Sequence, residues 1–296
     1  MQDYKKIIVP IGLQDKDAGA IAWACRIARY TDADDILFIH PYDNHDMPES
    51  LRGDDSFTNE LLEEIKKLVA ENCGSSEEIN FRFDVVTGKG ELTSLLEAIS
   101  EQDSDLIVIG KDSFGSSMPV RLARQAPCSV MSVPVECPPK LTKLMVTTDF
   151  SKYAKEALEI AVQVAQSRGL KEIESVHVYN LGRQSHKLTI PESTQLEIAA
   201  DFARERHEEF INDVDLQGVK VNMHNYNNRY VYDALQAATT ELGADMIIVS
   251  CRGKNALTSW LLGSVAENLL KEANVPVLAA KMRGTGQNFL NVLLGD

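Results

Sequence analysis

Residues 142–167 read TKLMVTTDFSKYAKEALEIAVQVAQS, and residues 5–30 read KKIIVPIGLQDKDAGAIAWACRIARY. Each stretch opens with a short apolar run, crosses a polar loop and enters a segment whose apolar residues recur at helical spacing. In the later stretch that stripe is Ala154, Ala157, Leu158, Ala161 and Val164 or Ala165. The two stretches align at an offset of 137, and the same offset brings His40, in ILFIHPY, against His177, in SVHVYNL. Further on, LLEAISEQDSDLIVIG meets LQAATTELGADMIIVS at an offset of 140, and QAPCSVMSVP meets EANVPVLAAK at 147. An offset that grows in steps while element order is kept is the mark of a tandem duplication with loop insertions.

Both copies alternate apolar runs with amphipathic stretches. In the first copy the runs are 7–10, 36–40, 81–86, 106–109 and 129–133, and in the second 144–147, 175–179, 219–223, 246–249 and 275–279. Most are continuously apolar, as strands of a parallel sheet covered on both faces must be. The expected fold is α/β: two tandem doubly wound, Rossmann-like domains, each with a five-stranded parallel sheet, right-handed crossovers and helices on both faces. Pro138 and Pro139 interrupt regular structure between the copies, which sets the domains at 1–137 and 138–283 with a tail over 284–296.

The 296 residues are 44% hydrophobic and 25% charged, an ordinary globular composition, and the net charge of −14 argues against a nucleic-acid or anionic-membrane surface. No apolar run approaches the length of a membrane span and MQDYKKIIVP lacks a signal-peptide core, so a cytoplasmic protein is expected. The five cysteines (Cys25, Cys73, Cys128, Cys137, Cys251) are scattered and without CxxC spacing. That pattern predicts reduced thiols, with neither a disulfide framework nor a zinc site.

In such a sheet, ligands bind beyond the carboxyl ends of the strands where strand order reverses. In the second copy those ends carry Thr147, Thr148 and Asp149, then Val178 and Tyr179, then Ser250 to Gly253. The stretch from Ser250 reads SCRGKNALTSWLLGSV. Gly253 lets backbone N–H groups turn inward, Gly263 allows close approach, and the helix starting near Ser264 offers N–H groups with partial positive charge, a set suited to a phosphate. The same features also read as plain punctuation, and Asp149 as a helix cap. Arg252, Lys254 and Arg229 read either as phosphate-screening charges or as solvated cations. Asp149, His177 and Cys251 allow a nucleophilic constellation on paper, but His40 holds the place of His177 in a copy with no such partners, which points to a structural histidine.

The segment S-C-R-G-x9-G-S-V, followed by AENLLKEANVPVLAAK, resembles the carboxyl-terminal signature of the universal stress protein family, and VTTDFSKYAKEAL resembles its opening strand, loop and helix. The resemblance spans residues 1 to about 283. It implies an adenine nucleotide, ATP or AMP, with or without Mg, in the second domain. Asp149 and Val178 would lie against adenine with Thr147 and Thr148 beside it, Val249 and Ser250 near ribose, and backbone at Gly253, Gly263, Ser264 and Val265 on the phosphates. Ser250 stands where the family's nucleotide-binding members have a first glycine. No catalytic base accompanies these residues, so a stress-response factor with at most slow ATP hydrolysis is implied. No SGGxDS-type loop follows either first strand, against an enzyme of the related α-hydrolase-like group. The alternative is an interaction module without nucleotide, working through its surface or another small ligand.

The first copy departs from the pattern. Gly12 stands at the Asp position, Ser113 and Ser116 at the second and third glycines, and the loop is about seven residues shorter, though Gly110 and Ser117 remain. A degenerate, empty first site is expected. The resemblance further implies antiparallel pairing of the last strands, CSVMSVP with VPVLAAK, as a pseudo-dimer within one chain, and allows a homodimer. The tail carries an apolar patch from Phe289 to Leu294.

Overall fold

The computed structural model describes residues 4–43, 55–74, 79–88, 90–112, 117–135, 137–181, 190–253 and 262–281. Ser113, Ser116, Lys254, most of the nine-residue arm before Gly263 and the tail lie outside them. The first repeat forms β1 (Lys6–Pro10), α1 (Asp15–Tyr30), β2 (Asp35–Asp43), α2 (Asp55–Cys73), β3 (Asn80–Gly88), α3 (Glu91–Gln102), β4 (Leu106–Lys111), α4 (Met118–Gln125) and β5 (Ser129–Pro134). The second forms β6 (Leu144–Thr148), α5 (Lys152–Arg168), β7 (Glu172–Tyr179), α6 (Glu192–Asn212), β8 (Lys220–Asn227), α7 (Val231–Leu242), β9 (Met246–Ser250), α8 (Ser264–Glu272) and β10 (Val277–Ala280). All ten apolar runs fall on strands, most extended by a residue or more at an end, although β8 begins after Val219 and β10 after Val275 and Pro276, and the α/β class read from the sequence is borne out.

Chain contacts define two compact units. Of the described residues, the first holds 4–140 and 270–281, and the second 141–253 and 262–269. In the first unit the parallel strands run β3-β2-β1-β4-β5. There β10 lies antiparallel to β5, with Val277 opposite Ser132 and Ala279 opposite Val130. In the second unit the order is β9-β6-β7-β8, all parallel. Strand order therefore reverses between β1 and β4 in one unit and between β6 and β9 in the other, where a doubly wound sheet opens a crevice.

The central strands are buried along their length: Ile7 to Val9, Ile36 to Ile39 and Leu106 to Ile109 in the first unit, Leu144 to Val146 and Met246 to Val249 in the second. Helix α5 shows how local sequence sets an element. Ser151 caps it, accepting the Ala154 N–H at 3.2 Å, and Gly169 ends it in the left-handed region at φ +71°. Between these ends Ala154, Ala157, Leu158, Ala161, Val164 and Ala165 are buried, the stripe seen in the sequence.

One expectation is corrected. Cys25 and Cys73 form a disulfide, and Cys128, Cys137 and Cys251 remain outside any disulfide. The bond joins the buried face of α1 to the last residue of α2, and Arg29 Nη2 donates to the Cys73 carbonyl beside it at 2.6 Å. Sequence spacing could not reveal the pair, because the two cysteines lie 48 positions apart and their proximity comes from the packing of two helices.

Candidate functional site

In the second unit β6 and β9 are parallel neighbours, with Val146 opposite Ile248. Two residues further on, Thr148 and Ser250 end the strands side by side, and the chain leaves the sheet into the loops that carry the sequence-predicted residues. Thr147, Thr148 and Val249 are buried, while Asp149, Val178, Ser250, Gly253, Gly263 and Val265 are half-buried and Ser264 is exposed. Val178 lies on β7, the strand beside β6 on the other flank, paired with Tyr226 of β8.

The loop after β6 is fixed by two short turns. Phe150 N–H donates to Thr148 Oγ1 and Ser151 N–H to Asp149 Oδ1, both at 3.0 Å. The helix cap is Ser151, so Asp149 does not fill the role of N-cap that its position permitted. The other oxygen of Asp149 faces Gly253: a Cβ on Gly253 would stand 2.9 Å from Asp149 Oδ2, closer than real Cβ contacts come. Glycine at this position lets the carboxylate stand where it does, since any side chain would make the end of Asp149 shift.

The neck of the β9–α8 loop closes where Gly263 N–H donates to the Cys251 carbonyl at 2.9 Å. A Cβ on Gly263 would lie 3.7 Å from that carbonyl oxygen and 3.8 Å from the Gly253 nitrogen. Gly253, Gly263 and the start of α8 at Ser264 therefore converge within one loop. The first-turn amides of α8 have no carbonyl four residues back inside the helix, and the helix end carries partial positive charge. Ser250 keeps its hydroxyl in its own turn, donating to the Arg252 carbonyl at 2.6 Å. Arg252 carries its guanidinium 5.4 Å over the Tyr153 ring on α5, and Lys152 Nζ lies 5.0 Å from the same ring. Burial and then Glu159 push the nearby Glu156 carboxyl up. Arg229, by contrast, is exposed and lies over Tyr230 at 5.7 Å. Carboxylate, backbone donors and two cations at one strand-order reversal suit an anionic ligand with a polar base.

His177 Nδ1 donates to the Thr148 carbonyl at 2.8 Å, and His40 Nδ1 donates to the Ile11 carbonyl at 2.7 Å in the first unit. The shared role is structural: this proton serves the backbone, not a carboxylate, and Cys251 is buried. Among the described residues no group of three or more His, Cys, Asp or Glu side chains has the arrangement of a metal site. Nor is any described helix long and apolar enough to cross a membrane.

Sequence reading missed Phe150 and Tyr153. Phe150 holds φ at +61° and packs its ring 4.0 Å from His177, 5.3 Å from His207 and 5.7 Å from Phe210. His207 is fully buried, with Nε2 2.7 Å from Ser175 Oγ and Nδ1 3.0 Å from Asn225 Oδ1, and burial lowers its pKa to about 4. The only sequence signal for this cluster was the run of aromatic and histidine residues on α6, which reads as a solvated helix until its packing is known.

The corresponding place in the first unit is built differently. Asp17, from the first turn of α1, returns its buried carboxylate to the loop and accepts N–H groups of Gly12 at 2.9 Å and Gln14 at 2.8 Å. Burial pushes this carboxyl up, against the opposing pull of those donors. At the end of β4, a Cβ on Gly110 would stand 2.3 Å from the Lys16 carbonyl oxygen, and Lys16 Nζ reaches Asp112 at 3.7 Å. The start of α1 thus lies directly on the strand end. Lys111 follows, buried, its Nζ donating to the Leu270 carbonyl at 3.3 Å and its pKa lowered to about 8 by burial.

This pair of doubly wound units, with a Gly-containing strand-to-helix loop at the reversal of strand order, defines a class. The model of the universal stress protein family matches residues 3–134 and 140–281, and the chain belongs to that family. Universal stress protein MJ0531 of Methanocaldococcus jannaschii is 27% identical over 143 residues, covering 47% of this chain and 81% of that protein. MJ0577 of the same organism is 46% identical over a shorter stretch of 43 residues, 14% of this chain and 26% of that protein. Among solved structures, a universal stress protein from Archaeoglobus fulgidus superposes with a TM-score of 0.67 at 18% identity, covering 95% of this chain and 99% of its own. A functionally unknown protein from Pseudomonas aeruginosa superposes with 0.63 at 16% identity, covering 100% and 99%. These likenesses speak for the fold.

Proposed function

We propose that the second unit binds an adenine nucleotide, ATP or AMP, and that the chain acts as a nucleotide-responsive stress-response factor without rapid catalysis. The observation that carries this reading is the meeting of Asp149 with Gly253, and of Gly253 with Gly263, at the β6–β9 reversal. A carboxylate there accepts from an exocyclic amine, and Val178 and the buried threonines Thr147 and Thr148 offer a wall for the base. Val249 and Ser250 stand at the strand end for the ribose. Backbone at Gly253, Ser264 and Val265, with the neck at Gly263, suits phosphate oxygens. Ser250 is compatible with the site because its hydroxyl is satisfied within its own turn. Any Mg²⁺ would be held chiefly by the phosphate oxygens, consistent with the lack of a protein ligand cluster among the described residues.

We take the domains as 1–137 and 138–283 and the first site as degenerate, a reading supported by Asp17 in the loop and by Lys16 against Gly110. The antiparallel register of β5 and β10 supports mutual pairing of the repeats' last strands. The rival reading, an interaction module without nucleotide, draws on Ile198 and Phe202, 57% and 63% exposed and four residues apart on α6.

Nucleotide extracted from protein purified without added ligand and identified by mass, followed by calorimetric titration with ATP, tests the reading. We expect bound adenine nucleotide or a saturable heat, and loss of both in Gly263→Arg. That variant should fold, since the first atom of its side chain meets neighbours at ordinary distances. No nucleotide and no heat with millimolar ATP would favour the interaction module.

A further inference from the structure

We infer that Phe150 is a positioning residue for the candidate site: its ring, clamped between β7 and α6, holds the Asp149 carboxylate in place. The inference rests on the reading of that site as an adenine-nucleotide site. Its starting point is a backbone outlier. Phe150 sits at φ +61°, a left-handed conformation that side chains rarely adopt.

What braces it in the second unit is a closed chain of contacts. His177 is tied to the Thr148 carbonyl at 2.8 Å, and the Phe150 ring lies against His177 with centroids 4.0 Å apart. Behind it stand His207 and Phe210, three positions apart on α6 and on one helical face. His207 cannot shift freely, because Ser175 of β7 and Asn225 of β8 hold both of its ring nitrogens. The ring is thus anchored to the sheet at one side and to α6 at the other.

The reversal at Phe150 is also what folds the chain back so that Ser151 N–H reaches Asp149 Oδ1 while Oδ2 faces Gly253. Release of the ring leaves the turn possible but without its brace on His177, His207 and Phe210, so the direction of the carboxylate is held less tightly. Position 13 of the first unit provides the control. Leu13 holds nearly the same dihedral, φ +57°, and His40 makes the matching backbone bond, but the preceding residue is Gly12, with no carboxylate to aim. A leucine therefore satisfies the turn, and the aromatic clamp occurs where there is a side chain to direct.

The test is base discrimination. ATP and GTP affinities are measured for wild type, Phe150→Leu, Phe150→Tyr and Asp149→Asn, with thermal unfolding of each. Leu13 indicates that Phe150→Leu folds. It should weaken ATP by about tenfold, the size of one charge-assisted hydrogen bond, and leave GTP unchanged, while Phe150→Tyr keeps the wild-type ratio within about twofold. A merely structural role would lower both nucleotides together or lower thermal stability alone, and either result would overturn the inference. Collapse of the ratio in Asp149→Asn but not in Phe150→Leu would reject Phe150 while sparing the site. Failure of the wild type to bind, or to prefer ATP, would remove both.

Discussion

The loops 12–14 and 149–151 occupy the same place in the two repeats, and both satisfy the N–H of their third residue with a carboxylate. In the first unit that carboxylate is Asp17, buried inside the turn, whereas in the second it is Asp149, half-buried and facing the loop after β9. Across the sheet reversal, Gly110 is pressed by the Lys16 carbonyl, while its counterpart Ser250 has room for a side chain. One sheet plan thus carries a helix start seated against the strand end in one unit and converging loop glycines in the other. A shift of one acid by a few positions, with one helix seated closer to a strand end, accounts for the difference.

The comparison can be broken at several points. The largest expected effect is on the first unit alone. Cys73→Ser, or reduction, should cost about 4 kcal/mol by the loop-closure argument for a 48-residue separation, read as a lower urea midpoint with ATP affinity unchanged. Next, Gly110→Ser should destabilise by about 3 kcal/mol, because its Cβ would meet backbone and not a flexible side-chain end.

A pH effect belongs to the second unit. His207 is lowered from 6.5 to about 4 in the fold, so between these values the unfolded chain binds more protons and stability rises with pH. Acidification from pH 6.5 to 4 should therefore remove up to about 3 kcal/mol, a slope in the unfolding midpoint that His207→Gln should flatten. The smallest effect is Ser250→Gly, which loses one local hydrogen bond and should change stability by less than about 1 kcal/mol and leave ATP affinity nearly unaltered. A large gain in affinity would show that the serine obstructs the site.

Much of this was legible in the sequence because its signals are local or repeated. Continuous apolar runs gave the strands, the Ala154–Ala165 stripe gave α5, and the duplication supplied an internal control at every loop. The candidate residues from Thr147 to Val265 fall at the strand ends and helix start where the topology puts them. What stayed hidden depends on packing between distant segments. Nothing in the sequence marks Asp17 as a buried acceptor of the Gly12 and Gln14 N–H groups. Nothing in the sequence marks Phe150 either, because only the rings from β7 and α6 explain it. Cys25 and Cys73 looked unrelated, because nothing in their spacing says that α1 and α2 pack together.

The central claim is that one chain has one nucleotide site and that it lies in the second unit. Equilibrium dialysis of ATP against wild type and Gly253→Val measures this directly, since a side chain on Gly253 must displace the Asp149 carboxylate. The account predicts one ATP per chain for wild type and none for the variant at the same concentrations. Two per chain, or one per chain undiminished in Gly253→Val, would contradict it.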